Sequence, residues 1–484
     1  MAGALLATGG SVPAAAWRLV AQYPFTPFTT VDRVLLLVFT ILIGATVGLM
    51  ADSGGTRGMV SRMVKFASSR GRAQVFAGLA GLVIFFDDYA NCLLIGPAFL
   101  AVFAHHRLSR AKLAYIVDST AAADASVWFV STWIGYEVGL IDQALKLLPD
   151  PALRALSPYG VFLDSIPFRF YLLFALALVF IIGSTGRDFG PMVDSEKRAL
   201  KGKGGGLGKG PAGGNFWLAV VPMAVLLIGT LVALGFSGRA NLAAQGHLAG
   251  ASFRDLIGAA NTYRAMFYSS LASFLTALAL TVSVTRMRTG EITHASAKGA
   301  WVMIPPLVIL ILAWALGDIS VELGTGDYVG KTISHLAKPW ILPTLVFAAG
   351  AGMSFATGTS FGTMAVLMPV AVPLAAASAS GAHLPPDAAV RLMVMTVGCV
   401  LSGSVFGDHC SIVSDTTILS AMASRCDLYE HFKTQMPYAG LAGVAAVAAG
   451  TIPAGLGVTP WICLPAGLLV MWTAVRLLGR KTGG

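Results

Sequence analysis

Charged residues are scarce in this chain of 484 residues. Asp, Glu, Lys and Arg make up 12% of the sequence and hydrophobic residues make up 56%, whereas soluble domains usually carry about 25% charged residues. A soluble globule of this composition would expose more apolar surface than water tolerates. The composition therefore excludes a soluble enzyme, a disordered chain and a nucleic-acid-binding protein, although the formal net charge is +10. It predicts a protein that crosses the lipid bilayer many times, in which basic residues report orientation.

The sequence also lacks the motifs of a disulfide framework, a cleaved signal peptide and a phosphate-binding loop. The five cysteines are scattered and include no Cys-x-x-Cys pair, so the sequence predicts no disulfide framework. No basic region followed by a cleavage site precedes the first apolar segment, and residues 1–30 are expected to form an interfacial helix rather than a cleaved signal. The glycine- and lysine-rich stretch 201–214 has no Ser or Thr after Lys209. This argues against a phosphate-binding loop, and hence against a primary pump, and favours a flexible linker.

Several apolar segments reach the length of about 20 residues that a spanning helix needs. They are 31–51, 113–141, 170–186, 215–236, 265–285, 300–316, 388–424, 437–457 and 460–477. Two further apolar stretches, 74–104 and 339–375, are too long for one crossing and carry polar residues at their middles. Basic residues flank 74–104 on both sides. Because Lys and Arg concentrate in cytoplasmic loops, this stretch is predicted to be a re-entrant hairpin.

The same rule gives the two halves of the chain opposite orientations. The predicted cytoplasmic loops are 187–214 and 286–299, and the predicted external loops are 142–169, 237–264 and 317–338. The stretch 339–375 then becomes a second hairpin, which enters from outside. The C-terminus is expected on the cytoplasmic side of a bacterial cytoplasmic membrane.

The predicted fold is an all-α polytopic membrane protein with two inverted-topology repeats, the plan of secondary transporters. The first repeat covers 31–236 and the second covers 265–484, with the external connection 237–264 between them. Each repeat contains a re-entrant helical hairpin followed by an interrupted transmembrane helix. The interrupted helices are 113–141 and 388–424, and 187–214 is the cytoplasmic linker within the first repeat.

Polar side chains lie inside four of these apolar segments, where lipid penalises a charge by about 2.5–3.5 kcal/mol. The candidate ion- or substrate-binding residues are Asp87, Asp88 and Asn91; Asp118, Ser119, Thr120 and Asp124; Thr357, Gly358, Thr359, Ser360 and Thr363; and Asp408, His409, Ser414, Asp415, Thr416 and Thr417. No Lys or Arg lies within 74–104, 113–141 or 394–424. Buried carboxylates without protein cations must be protonated or must bind a cation from solution.

Carboxylates, hydroxyls and the carbonyls freed at helix breaks are hard oxygen ligands that suit Na⁺. We expect a subset of Asp88, Asp118, Thr359, Asp408 and Asp415 to bind Na⁺, and the same acids to bind H⁺ in competition with it. A site that holds either ion and opens alternately to each side performs Na⁺/H⁺ antiport. Na⁺ and H⁺ are then the coupling ions, and no cofactor is expected.

Simpler roles are open for some of these residues. Ser119, Thr120, Thr416 and Thr417 can cap the ends of half-helices. Glu137 is expected near a membrane interface. The Gly44-xxx-Gly48 and Gly358-xxx-Gly362 motifs are expected to be close-packing surfaces between helices.

Four motifs resemble the NhaC-type Na⁺/H⁺ antiporter family. They are FFDDYANCLLIGP (85–97) and RLSRAKLAYIVDSTAA (107–122) in the first half, and FATGTSFGTMAVLMPVAVPLA (355–375) and FGDHCSIVSDTTILSAMAS (406–424) in the second, the last followed by TQMPYA (434–439). The resemblance implies an ion-transporter fold with inverted repeats, often a homodimer, and ion binding by the acids and hydroxyls of these motifs. Some relatives move organic acids or amino acids. Departures are the extra acid Asp124, the large residues Trp128 and Phe129, and Ile412 in place of a proline.

Two other functions compete with Na⁺/H⁺ exchange. One is a Na⁺- or H⁺-coupled carrier or exchanger of a small organic solute, such as an amino acid, an amine or a carboxylate. The lack of a buried Arg argues against a multiply anionic solute, so a zwitterion or a cationic amine fits better. The other is an intramembrane protease, since Phe406-Gly407-Asp408 superficially resembles an aspartyl protease motif. Val405 stands where that motif has glycine and no Tyr-Asp partner is present, so an enzyme is not expected.

Overall fold

Helices dominate the computed structural model, which describes residues 11–23, 25–202, 214–244, 256, 259–322 and 338–482. The first half contains α1 Val31–Asp52, α2 Gly55–Val64, α3 Arg70–Val83, α4 Asp88–His105, α5 Arg110–Val127, α6 Ile134–Lys146, α7 Pro158–Ser165, α8 Phe170–Thr185, α9 Met192–Lys201 and α10 Trp217–Ala244. The second half contains α11 Thr262–Val284, α12 Thr289–Val302, α13 Ile304–Glu322, α14 Leu342–Thr357, α15 Ser360–Gly381, α16 Pro386–His409, α17 Asp415–Ala423, α18 Leu428–Ala445 and α19 Pro460–Leu478. Short helices cover Val12–Trp17, Pro151–Arg154 and Ile452–Gly455, and the strands β1 Arg187–Asp188 and β2 Arg480–Lys481 pair antiparallel.

Nine helices in the described part of the chain are long and apolar enough to cross a membrane. Helices α7 and α8 add a tenth candidate if they form one span, which bends by 50° at the junction between them. The prediction of an all-α polytopic membrane protein is therefore confirmed. Parts of four predicted features lie outside the described residues: 1–10 of the N-terminal segment, most of 245–258 in the connection 237–264, 203–213 in the loop 187–214, and 323–337 in the loop 317–338.

The predicted loop 286–299 is wrong, because Thr289–Val302 forms helix α12. The segment is polar and therefore resembles a loop. Its first turn is nevertheless closed by Glu291, whose Oε2 accepts a hydrogen bond of 2.7 Å from the Arg288 backbone N–H. Helix α12 packs on α1 through small residues. Added to Gly48, a Cβ would lie 2.3 Å from the Ala295 carbonyl oxygen; this contact confirms the close packing expected of Gly44-xxx-Gly48.

The second glycine motif has a different role from the predicted one. Gly358 ends α14 with φ of +69°, a left-handed conformation that glycine adopts without strain. Thr359 follows as the N-cap of α15, where its hydroxyl accepts a hydrogen bond from the Gly362 N–H. The turn between the two helices lies against Val413. The motif therefore forms a sharp turn at a helix junction and not a helix–helix surface.

Both stretches predicted to be interrupted helices contain a break. α5 ends at Val127 and α6 begins at Ile134; α16 ends at His409 and α17 begins at Asp415. Within 74–104, α3 and α4 flank a short gap at 84–87 and pack on each other; α14 and α15 do the same within 339–375. Helix α15 packs on α6, and α17 packs on α4 and α5. The broken helix of the second half therefore lies directly on the first half.

Ionic contacts join elements that the sequence assigns to the same side. Four predicted cytoplasmic segments are connected by the pairs Arg70–Glu196 (2.7 Å), Arg198–Glu430 (2.5 Å) and Lys112–Asp188. The N-terminal region, expected to be interfacial, meets the end of α13, which begins the predicted external loop 317–338, through Arg18–Glu322 (2.5 Å) and Arg33–Asp318 (3.1 Å). The predicted cytoplasmic segments thus lie together. The linker 187–214 is structured over its first part, where β1 and α9 form.

Candidate functional site

The helix breaks bring five of the predicted acids into one connected group. Electrostatic interactions link Asp88 to Asp87 and Asp415, and link Asp408 to Asp415 and Asp118. We refer to these five residues as the carboxylate cluster. Four of them are almost fully buried, whereas Asp415 is exposed at the start of α17. The expectation that all of these acids are buried is therefore wrong for Asp415.

Asp118 lies at the end of the cluster nearest to α18. Its Oδ2 accepts a hydrogen bond of 2.5 Å from Gln435 Nε2 and one of 3.3 Å from the Thr417 hydroxyl, and it lies 3.3 Å from His431 Nε2. Its Oδ1 has no hydrogen-bond partner in the described residues. One oxygen of Asp118 is therefore fixed by polar side chains from the second half, and the other is free to bind a cation or a proton.

Asp408 and Asp415 flank the second break. The hydroxyl of Tyr89, on α4, donates to Asp415 Oδ2, and the backbone N–H of Thr416 donates to Asp415 Oδ1 at 2.9 Å. Asp408 Oδ2 accepts from the Thr416 hydroxyl at 3.4 Å, and the Ser414 hydroxyl lies 3.2 Å from the Thr416 hydroxyl. Thr416 thus contacts both acids, Asp408 through its hydroxyl and Asp415 through its backbone N–H.

The first hairpin presents its acids at the start of α4. Asp87 is the N-cap, and its Oδ1 accepts from the Ala90 N–H at 2.7 Å. Asp88 occupies the first helical position, where the positive end of the helix dipole favours a negative charge. Asn91 lies one turn further and donates to the carbonyls of Gly81 (3.0 Å) and Thr120 (3.2 Å), so it ties the hairpin to α5.

Several of the predicted hydroxyl residues donate hydrogen bonds to backbone carbonyls of the preceding helical turn. Thr120, Thr357 and Thr363 donate to carbonyls four residues earlier, namely those of Ile116, Met353 and Thr359. Thr120 lies in the middle of α5 and not at a helix end, so this bond is not the capping role left open for it. Thr357 is exposed. Ser119 and Ser360 are buried, and the Ser360 hydroxyl donates to the Ser404 carbonyl at 3.3 Å.

Asp124 stands apart from the carboxylate cluster. Its Oδ1 accepts a hydrogen bond of 2.8 Å from the indole nitrogen of Trp128, and its Oδ2 has no partner in the described residues. The Trp128 ring stacks on Phe85 with ring centres 4.4 Å apart. The extra acid and an aromatic residue that set this chain apart from its family pattern are therefore in contact at the break between α5 and α6.

Sequence reasoning missed two polar residues of α18. Gln435 donates to Asp118 and also to the His409 carbonyl at 2.9 Å, and the His431 ring lies 2.9 Å from the Ser420 hydroxyl. Gln435 lies in the family-like TQMPYA motif, so the resemblance could have identified it as a site residue. His431 lies one helical turn before Gln435. His409 Nδ1 meets the Tyr171 hydroxyl at 2.8 Å.

A buried ion pair corrects two further expectations. Glu137 is fully buried rather than interfacial, and it lies 3.0 Å from Arg169, which is also fully buried although the sequence places it in an external loop. The premise that the chain has no buried Arg is therefore wrong. The guanidinium, however, has its donors occupied by Glu137, Ser126, Phe162 and Ser165. It offers no free charge to an anionic solute.

The unpaired oxygens define what the site can bind. The buried carboxylate and amide oxygens without a hydrogen-bond partner, among the site residues of the described chain, are Asn91 Oδ1, Asp118 Oδ1, Asp124 Oδ2, Asp408 Oδ1 and Gln435 Oε1. The described residues contain no group of three or more His, Cys, Asp or Glu side chains that could hold a metal ion. A small cation at the cluster would therefore need hydroxyl and carbonyl ligands in addition to carboxylates.

Comparison of whole folds finds membrane transporters. The YdaH transporter of Alcanivorax borkumensis superposes with a TM-score of 0.60 at 14% identity, covering 98% of this chain and 90% of that one. MtrF of Neisseria gonorrhoeae, described as representing a class of antimetabolite efflux pumps, gives a TM-score of 0.58 at 15% identity, covering 98% and 86%. At such low identity these similarities show the fold alone.

Sequence comparison defines the family. An uncharacterized protein of Haemophilus influenzae is 31% identical over 447 residues, which are 91% of this chain and 83% of that protein. A malate-2H⁺/Na⁺-lactate antiporter of Bacillus subtilis is 29% identical over 174 residues, only 36% of this chain and 33% of that protein. The model of the Na⁺/H⁺ antiporter family matches residues 125–452. The chain thus belongs to the Na⁺/H⁺ antiporter family, as its NhaC-type motifs predict, and is a multi-pass membrane transporter and not an enzyme.

Proposed function

We propose that this secondary transporter exchanges Na⁺ for H⁺ by alternating access, with the carboxylate cluster binding the two ions in competition. The observation that carries the proposal is that Asp118 and Asp408 are buried at the junction of the two halves, each with one unpaired oxygen. No Lys or Arg contacts either carboxylate in the described part of the chain. Asp118 has one basic neighbour, the His431 imidazole at 3.3 Å, which is cationic only when protonated. Asp408 forms no ion pair among the described residues, so its negative charge must be neutralised by an ion from solution.

The surrounding helices support a cation site of variable occupancy. The first residues of α4 and α17 are Asp88 and Asp415, where helix dipoles stabilise negative charge without neutralising it. The hydroxyls of Thr416 and Thr417 lie beside Asp408 and Asp118 and have oxygen lone pairs that suit Na⁺. A proton on the carboxylate satisfies the same charge requirement, so the two ions exclude each other.

The decisive experiment uses purified full-length protein in liposomes that contain a pH-sensitive dye. A pulse of Na⁺ or Li⁺, applied after the interior has been acidified or alkalinised, is expected to drive proton flux in the opposite direction to the cation. A K⁺ pulse controls for leak and for diffusion potentials. The absence of proton flux with any cation would exclude the proposal.

A second candidate function is coupled exchange of a small organic solute. The Bacillus subtilis relative is named for malate and lactate, and the contact of Asp124 with Trp128 adds a carboxylate and an aromatic ring next to the break. The occupied guanidinium of Arg169 disfavours a multiply anionic solute, and Asp124 favours an amine or a zwitterion. Liposomes preloaded with an amine, an amino acid, lactate or malate distinguish these classes, since the true substrate alone accelerates proton flux.

We also propose that 31–236 and 265–484 are inverted repeats, that the face carrying Arg70, Lys112 and Arg198 is cytoplasmic, and that two copies form a homodimer in the bacterial cytoplasmic membrane. The charge distribution supports the orientation. Labelling of single cysteines introduced at Arg72 and at Trp17 with an impermeant reagent tests it: in intact cells only the Trp17 position should react. Chemical cross-linking in membranes tests the dimer.

A further inference from the structure

The fully buried pair of Glu137 and Arg169 spans the break between α5 and α6. Arg169 Nη1 donates to the Ser126 carbonyl, near the end of α5, and lies 3.0 Å from Glu137 Oε2, in the first turn of α6. The Ser126 hydroxyl closes the group by donating to Glu137 Oε1 at 2.6 Å. One guanidinium therefore holds both ends of the interrupted helix.

Arg169 is itself anchored at a bend. It lies at the junction of α7 and α8, which meet at 50°, and donates to the Phe162 carbonyl (3.3 Å) and to the Ser165 hydroxyl (3.0 Å). From the same bent segment, the Tyr159 hydroxyl donates to the Phe129 carbonyl within the break at 2.7 Å. The bent segment thus contacts the break at two separate points.

The break in turn reaches the carboxylate cluster. The backbone N–H of Thr132 donates to the Phe86 carbonyl at 2.9 Å, and Phe86 directly precedes Asp87 and Asp88. The break is therefore hydrogen-bonded to the residue just before the two acids at the start of α4.

Stability alone does not account for such a pair. A buried ion pair costs desolvation, and its replacement by apolar residues of similar volume is often neutral or stabilising. We infer that Arg169 and Glu137 are positioning residues, which hold the α5–α6 break so that Asp87 and Asp88 are correctly placed for cation binding. The inference rests on the proposed cation exchange for its functional consequence.

The test replaces the whole pair, because a single substitution would leave a buried unpaired charge and could prevent folding. The double variant Arg169→Met with Glu137→Leu is compared with wild type and with a matched control on the same helix. That control is Asp142→Ala with Lys146→Ala, which removes an ion pair of 2.6 Å at the end of α6, where the lysine is exposed and the aspartate is partly buried. All three proteins are purified at full length.

The first readout is amide hydrogen exchange of the peptides covering 84–91 and 126–137, which does not depend on transport. We expect both peptides to exchange about tenfold faster in the double variant, equivalent to about 1.4 kcal/mol, and to be unchanged in the control. Unchanged exchange in both peptides overturns the inference. Faster exchange in 126–137 alone also overturns it, because the break would then not be coupled to Asp87 and Asp88.

The second readout is Na⁺-driven proton flux in liposomes. We expect the apparent KM for Na⁺ to rise about tenfold in the double variant, with Vmax nearly unchanged, because ion binding and not the transport cycle is impaired. An unchanged KM overturns the positioning role. If wild-type protein itself shows no cation-driven flux, the proposed function fails, whereas the exchange data still decide whether the pair positions the two acids.

Discussion

Asp118 has one carboxylate oxygen held by hydrogen bonds and one without a partner in the described residues. An amide substitution can therefore test whether its negative charge is needed for transport. Asp118→Asn keeps the size of the side chain and an oxygen for Gln435 but removes the negative charge. Because interactions of a charged group contribute about 1.5–3 kcal/mol, we expect Na⁺-driven proton flux to fall at least about tenfold, with normal expression.

Asp88→Asn and Asp415→Asn are expected to reduce flux in the same assay. Asp194→Asn, which changes an exposed acid on α9, is the matched control and should transport like wild type. Wild-type flux in all three cluster variants would rule out the carboxylate mechanism.

Two substitutions of Asp124 separate the effect of its negative charge from the effect of its hydrogen bond on the Trp128 ring. Asp124→Asn keeps an acceptor for the Trp128 indole, whereas Asp124→Val removes it and releases the ring from its 2.8 Å hydrogen bond. We expect Asn to leave Na⁺-driven proton flux within about twofold of wild type, and Val to change which organic solutes inhibit that flux. The measurement is inhibition of flux by amines, amino acids and carboxylates. A large loss of flux in the Asn variant would instead assign Asp124 to the coupling site.

At the residue scale, the acids could be predicted because an unpaired charge in an apolar segment is costly and therefore conspicuous. Residues whose type is ordinary in their context could not be singled out. Arg169 adjoined a polar loop, Glu137 lay near a predicted helix end, and His431 lay close to a charged helix start. Their roles depend on contacts 32 to 313 residues away in sequence, which the pattern of a single segment does not contain.

Helix α12 owes its place in the fold to close packing on α1, so the glycine pair is the element-scale test. Gly48→Ala would bring a Cβ within 2.3 Å of the Ala295 carbonyl oxygen. Because backbone must move to relieve such a clash, we expect a loss of about 1–3 kcal/mol, seen as a lower Tm in detergent. Gly235→Ala on α10 is the control, since a Cβ there meets nothing within 4 Å. Equal melting of both variants would contradict the packing role.

Elements with uniform apolar composition were predictable, whereas elements defined by packing were not. The helices α1, α11 and α19 follow the apolar segments closely, whereas α10 continues to Ala244, beyond the predicted end at 236 and into the predicted connection. The polar composition of α12 predicts a loop. The helix forms because its small residues pack on α1, and small residues among polar ones give no helical pattern of apolar side chains. Helix α9 lies in the predicted linker, because the contact that holds it is distant in sequence. Its buried Glu196 accepts hydrogen bonds from the backbone N–H and the hydroxyl of Ser109.

At the scale of the whole molecule, Asp188 joins three distant parts of the chain. It accepts hydrogen bonds from Lys112, from Tyr438 (2.7 Å) and from Thr482 (2.7 Å). Burial raises the pKa of Asp188, but the charge of Lys112 and these hydrogen bonds outweigh it and hold the pKa below its usual value. The stabilisation is therefore complete above the ordinary carboxyl pKa of about 3.9 and is lost as pH falls through the lowered value.

Asp188→Asn should therefore lower Tm by a constant amount between about pH 5 and pH 8. Removal of one partner from a buried ion pair typically costs about 3–5 kcal/mol. The difference from wild type should shrink only in stronger acid, where wild-type Asp188 becomes protonated as well. Thermal unfolding across pH measures it, with Asp194→Asn as control. A difference that disappears already at pH 6 would contradict this account.

The grouping of charges by side was predictable for the whole molecule because the positive-inside rule is a property of many loops together. Contacts such as Arg70–Glu196 and Arg198–Glu430 join segments of the same predicted side. The joining of β1 with β2 could not be predicted, since two-residue strands carry no periodic signal.

The pair of Glu137 and Arg169 also constrains the order in which the chain enters the bilayer. Ribosomal synthesis produces Glu137 before Arg169, 32 residues earlier. During that interval the carboxylate has no counter-ion, and a charge within a transmembrane segment costs about 2.5–3.5 kcal/mol during insertion. Helix α6 should therefore not leave the translocon alone. Residues 134–185 are expected to partition into lipid as a single unit, once the arginine has arrived.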